Sequence, residues 1–202
     1  MRDINPAAAG TADLIDQFVA RYSEFHSPAY SPPQFGGDGS PIVYVSSFWS
    51  DWHGDTRQTG HGPDVMGEAL GRAGLPSTAI LWHRVMPFAT EQQRSGAVGR
   101  DHYSANDQAA AKNLLIAVLQ HNAARGSQGV VTGGAKARGA VTWAKDRGNI
   151  TGLRLFPTIN HHARDSTEKI VSEMSETFAA AYKYACPLEW AMAARAAREL
   201  ED

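Results

Sequence analysis

Four short apolar runs alternate with longer stretches of helical periodicity, and this alternation constrains the fold more than any other feature. The runs are residues 42–47 (IVYVSS), 79–86 (AILWHRVM), 128–132 (QGVVT) and 153–159 (LRLFPTI). They are rich in β-branched residues and show little polar alternation. Strands of that kind suit a sheet covered on both faces, and intervening helices act as the crossovers that make neighbouring strands parallel. The expected fold class is therefore α/β, a three-layer α/β/α sandwich around a central, mainly parallel four-stranded sheet.

The helical stretches have recognisable punctuation. Leu14, Ile15, Phe18, Val19 and Tyr22 recur at helical spacing, with Thr11 as the expected N-cap. A second helix is expected over 64–73, stopped by Gly74, and a third from the cap Ser104 to about Gly126. Gly133-Gly134 turns into a fourth. Asp165 and Glu168 form a capping-box-like start for the helix carrying Ile170, Val171, Met174, Phe178 and Tyr182. An Ala-rich amphipathic helix is expected over 188–200. The Pro/Gly/Ser-rich stretch 26–41 reads as a connector, and 48–63 and 88–103 read as loops. With 202 residues the chain is expected to be one domain, with an N-terminal helix and loop over 1–40 and a helical tail over 185–202.

Composition narrows the function classes. The single cysteine, Cys186, permits neither an intrachain disulfide nor a four-cysteine metal site, and fits a reducing, cytoplasmic setting. No run approaches the roughly 20 apolar residues of a membrane span, and the N-terminus lacks the apolar core of a secretory signal. No membrane partner and no cofactor are expected, and the chain is expected to act as a monomer. A formal net charge of −2 argues against bulk electrostatic coating of nucleic acid but allows a local basic face.

In open parallel sheets, ligands bind beyond the carboxyl ends of the strands. Here those ends lead into loops dense in polar chemistry. The first holds Asp51, His53, Asp55, Arg57 and His61; Asp51 or Asp55 can orient water or face developing positive charge. The last reads Asn160-His161-His162-Ala163-Arg164, and a neutral imidazole N–H there can stabilise an oxygen gaining negative charge. Gly133-Gly134 before a helix can present backbone N–H groups to an anion. The dinucleotide, P-loop and nucleophile-elbow signatures are absent.

Two of these loops together carry a family likeness. The segment His53-Gly54-Asp55-Thr56-Arg57-Gln58-Thr59-Gly60 is similar, with one inserted residue, to the HGxxRTG stretch of the iron–sulfur branch of the uracil-DNA glycosylase superfamily. The following MGEALGRAGL is similar to that branch's helix ending in Ala-Gly, and QGVVTGGAKARGAV to its strand–Gly–x–x–Ala–helix segment. INHHARDSTEKIVSEM occupies the position of the family's HPS motif, with Ala163 and Arg164 where the family has Pro and Ser. The chain thus resembles this superfamily over about residues 40–183, without the cluster cysteines.

The resemblance implies a DNA glycosylase-like protein acting on uracil or another modified base in single- or double-stranded DNA. It implies a catalytic role for His162, with Asp51 or Asp55 orienting water. It places His83 near the asparagine that reads the flipped base, with Phe48, Trp52 and His53 as further base-binding candidates. Arg57, Lys136, Arg138 and Arg164 become the DNA-binding set. A second reading is a catalytically inactive member that binds nucleic acid or nucleotide. A third is a metal-dependent hydrolase built on His53, His61, His161, His162 and a nearby Asp.

Overall fold

The computed structural model describes residues 10–22, 35–48, 56–87, 103–160 and 165–199. In chain order the elements are α1 (Thr11–Tyr22), β1 (Ile42–Phe48), α2 (Thr56–Arg72), β2 (Ile80–Met86), α3 (Ala105–Ala124), β3 (Gly129–Gly133), α4 (Gly134–Arg147), β4 (Arg154–Thr158), α5 (Thr167–Ala185) and α6 (Pro187–Glu199). The four strands form one all-parallel sheet in the order β2-β1-β3-β4. Helices cover both faces, which gives the three-layer α/β/α fold. No described helix is long and apolar enough to cross a membrane.

Strand order explains which helix lies where. The chain steps from β1 outward to β2, then back past β1 to β3 and on to β4. Crossovers of one hand that run in opposite directions must place their helices on opposite faces. Accordingly Val43, Val45, Leu81 and Val130 pack with Leu14 and Phe18 of α1, Leu114 and Leu115 of α3, and Val141 of α4. Ile42, Tyr44, Ile80, Trp82 and Val131 pack on the other face with Met66 and Leu70 of α2 and Met174 and Phe178 of α5. Successive residues of β1 serve alternate faces, so an unbroken apolar run is what a doubly covered strand requires. Each such buried side chain stabilises the fold by ~1.5–3 kcal/mol.

The sheet has two differently treated borders. Outside β2, Gly36 donates its N–H to the Ile80 carbonyl at 2.6 Å, and the Ser40 hydroxyl donates to the Thr78 carbonyl at 3.1 Å. On β4, the Arg154 N–H donates inward to Gln128 at 2.8 Å. The alternate positions, including Pro157, therefore turn their backbone away from β3. Proline has no N–H to leave unpaired there, which is why it is tolerated on an edge strand.

Three helix starts differ from expectation. The helix α2 begins at Thr56 and runs through Gly60, Gly62 and Pro63, where a loop was expected. Intrinsic propensity costs about 1 kcal/mol for glycine and about 3 for proline, and tertiary packing overrides sums of that size. Buried Val65, Met66, Ala69 and Leu70 anchor this helix. The α1 helix already includes Thr11, whose N–H is capped by Asp38 at 3.0 Å from 27 residues away, so no local signal marked it. In α5 the cap is Ser166, accepting from the Lys169 N–H at 3.3 Å, while Asp165 pairs with Lys169 and Glu168 with Arg72.

The other boundaries shift by a residue or two. The β2 strand starts at Ile80 because Ser77–Ala79 form a 3-10 turn. Ser104 makes a full capping box with Asp107. Gly74 (φ 67°) closes α2 with bonds from Gly74 N–H to Gly71 and from Leu75 N–H to Leu70, a Schellman ending.

Candidate functional site

The carboxyl ends of all four strands lie on one border of the sheet, because every pairing is parallel. The β3–α4 turn is central to that border. Gly133 ends β3 against the Tyr44 hydroxyl, where any side chain would collide with it. Tyr44 is itself fixed by Trp82 and Phe178, with ring centroids 5.9 and 5.7 Å away. Gly134 has φ 86°, and a Cβ there would stand 3.3 Å from the Cβ of Asn160. Both glycines are therefore required, one by close approach and one by conformation. Asn160 opens the segment that follows β4, so that segment leaves the sheet directly beside the turn.

The strands end at different heights. Val45 is the last β1 residue in register with β3, opposite Thr132, whereas β1 and β2 continue paired as far as Phe48 and Met86. The two longer strands create a step, and α4 starts within it. The result is a cleft of about 470 Å³, walled by Ser47, Val85 and Met86 from the strands and by the start of α3 and one face of α4. Its volume falls in the range of small-molecule pockets. Lys112 of α3 lies over the Trp143 ring of α4, 5.1 Å from its centroid, and both line the cleft.

Beneath this border the sheet carries unusual polarity. His83 and Thr132 flank Val45 in register, so all three side chains share the face that packs on α3 and α4. His83 is 3% exposed and Thr132 is fully buried, yet His83 Nε2 and Thr132 Oγ1 have no hydrogen-bond partner among the described residues. Burial, reinforced by the neighbouring Arg84 charge, pushes the His83 imidazole down to about 4, so it is neutral at pH 7. On the opposite face Arg84 is buried and its guanidinium lies 4.8 Å from the Trp82 ring centroid, while the Trp82 indole N–H donates to Ser46 Oγ at 2.9 Å.

The residues singled out in the sequence distribute unevenly. His83 is in the middle of β2, and Lys136 and Arg138 are exposed in the first two turns of α4, with Lys136 on the cleft wall. Phe48 closes β1 and Arg57 lies at the start of α2, but their side chains lie outside the described set. Asp51, Trp52, His53, Asp55, His161, His162, Ala163 and Arg164 also lie outside the described residues, as does the His61 side chain. Among the described residues, no group of three or more His, Cys, Asp or Glu could hold a metal ion. The sequence reading missed Lys112, Trp143, Gln108 and Tyr103. Lys112 and Trp143 sit within helical patterns whose apolar spacing pointed only to core packing.

The chain matches no protein-family model and no characterised protein at significant similarity.

Proposed function

We infer that the chain is a DNA glycosylase-like protein that hydrolyses the N-glycosidic bond of uracil or another modified base in DNA. One observation supports this reading above the rest. The strands feeding the two resembling segments, β1 and β4, end on the same border and are separated only by β3. The Gly133-Gly134 turn between them contacts Tyr44 of β1 and Asn160 after β4. The strands that precede segments 52–60 and 160–164 thus end at neighbouring points of one border.

The chemistry requires a base extruded from the stack, at a cost of a few kcal/mol. In this reading Phe48, Trp52 and His53 hold the base, and His162 donates to the oxygen that becomes negative as the base departs. Asp51 or Asp55 aligns water toward the sugar as it gains positive character. Arg57, Lys136, Arg138 and Arg164 hold the phosphates. The test is release of the base from single- and double-stranded oligonucleotides bearing a panel of modified bases, read as abasic-site cleavage in alkali. Activity that falls about 100-fold or more in His162→Ala is the expected result, since one good donor to a developing anion is worth ~3–4 kcal/mol. No abasic sites with any base would end the reading.

A binding protein without base release is the second reading. It is favoured by Ala163 and Arg164 where the resembling family has Pro and Ser. It predicts salt-dependent DNA binding with every glycosidic bond intact.

A further inference from the structure

Where α5 runs back along β4, the two ends of the shared face carry opposite charges. Thr158, at the end of β4, donates its hydroxyl to the Glu173 carbonyl at 3.5 Å, and the Phe156 and Tyr184 ring centroids are 5.8 Å apart. At the Tyr184 end the Arg154 guanidinium stacks on both rings, 4.9 Å from Tyr184 and 5.4 Å from Phe156, and Lys183 is exposed in the last turn of α5. At the other end the exposed Glu173 and Glu176, with Thr177 and with Pro157, Thr158 and Ile159, enclose a hollow of about 290 Å³. We propose that two copies of the chain meet through this face, about a two-fold axis beside Ala179 and Ala180, with the Tyr184 end of each copy against the acidic hollow of the other.

Spacing argues for a second copy as the occupant. Glu176 and Lys183 stand seven residues apart in α5, which returns to nearly the same flank of a helix about 10 Å further on. They are equidistant from the point between Ala179 and Ala180. A two-fold axis there pairs the helices antiparallel and sets Glu176 of each copy against Lys183 of the other. The same axis, to within a residue, sets Tyr184 and the Arg154 stacked on it against Glu173. Charge agrees. Among the described residues no carboxylate pairs with Arg154 or Lys183, and no cation pairs with Glu176, which accepts from the Ser172 hydroxyl at 3.5 Å. Glu173 has one long contact, 3.9 Å to Lys169. Shape agrees as well: Tyr184 is 41% exposed at one end, the hollow lies at the other, and the small, exposed Ala180 between them lets two helices approach closely. A contact of this isologous kind closes at two copies. Its length of about one helix places it among the small, weak interfaces.

Sedimentation equilibrium of the intact chain, from about 1 to about 500 µM, tests this directly. A reversible monomer–dimer equilibrium is expected, with a dissociation constant on the order of 10 µM. Lys183→Glu and Glu176→Lys change exposed side chains, and circular dichroism checks that both variants fold. Each should weaken self-association by about tenfold or more, because like charges then face one another twice. Mixing the two variants should restore a dimer holding one chain of each kind, because both pairs are then opposite again. Leu188→Ser, on the exposed side of α6, should leave the equilibrium unchanged. The proposal is overturned if the chain stays monomeric throughout, or if a dimer forms that neither charge reversal weakens. It is overturned equally if the mixed variants do not pair, or if Leu188→Ser abolishes association. Mass is the readout, so the outcome does not depend on base release.

Discussion

The two ends of the sheet handle buried polarity in opposite ways. At the amino ends of β1 and β3 the buried polar side chains among the described residues have partners. Asp38 accepts from the Thr11 N–H at 3.0 Å and from Arg125 at 3.2 Å, with His121 Nε2 3.3 Å away. Asn122, fully buried, donates to Thr11 Oγ1 and the Val118 carbonyl, both at 2.9 Å, and accepts from the Gly39 N–H at 3.2 Å. The Ser127 hydroxyl donates to the Ser40 carbonyl at 2.5 Å. Partial burial pushes the Asp38 carboxyl up, but bonds from Thr11, His121 and Arg125 outweigh it and hold it below its ordinary range. Toward the carboxyl ends, His83 Nε2 and Thr132 Oγ1 are left without partners and the strands stop at unequal heights. One end joins three chain segments into a fixed frame. The other leaves two buried polar atoms without a described partner, close to a cleft of open volume, at a cost in stability.

That contrast can be broken by measurement, and the largest effect belongs to His83. The unfolded imidazole takes up a proton as pH falls below 6.5, but the folded one does so only near 4. The unfolded state therefore binds more protons in that window, and stability falls as pH falls through it. The expected loss is about 3 kcal/mol between pH 6.5 and 4, read by urea unfolding at a series of pH values. His83→Leu should flatten that part of the profile. A parent profile with no slope there would mean that His83 is solvated.

Next is the opposite end. Asn122→Ala leaves the Gly39 N–H and the Thr11 hydroxyl without their partner and should cost about 2–3 kcal/mol by denaturant unfolding. A cost below about 0.5 kcal/mol would show the frame to be ornamental. Smallest is Thr132→Val, which swaps an unpartnered hydroxyl for a methyl of similar shape. It should be neutral or stabilising by up to about 1 kcal/mol. A clear destabilisation would reveal a bound water or ligand at that hydroxyl and sharpen the contrast.

The fold was legible because its signals are local. Ile42–Val45 and Val130–Val131 advertise buried strands, Gly74 and Gly126 mark helix ends, and Ser104 with Asp107 writes a capping box. What escaped was decided at a distance. The Thr11 cap comes from Asp38, and α2 runs through Gly60, Gly62 and Pro63 because packing fixes it further on. The cleft escaped for a related reason. It arises from a difference in length between paired strands, and Lys112 meets Trp143 only after α3 and α4 pack side by side. Of the earlier candidates among the described residues, Lys136 lines it, found from its place after the Gly133-Gly134 turn.

The proline at position 157 also governs how copies of this chain meet. A foreign strand laid along β4 would seek a hydrogen at that point and find none, so a growing ladder would break at the place where it had to take hold. On the opposite flank Gly36 and Ser40 already occupy acceptors that an incomer would need. Fibril-like stacking is thus discouraged from both sides, at the cost of one residue on one margin and a few on the other.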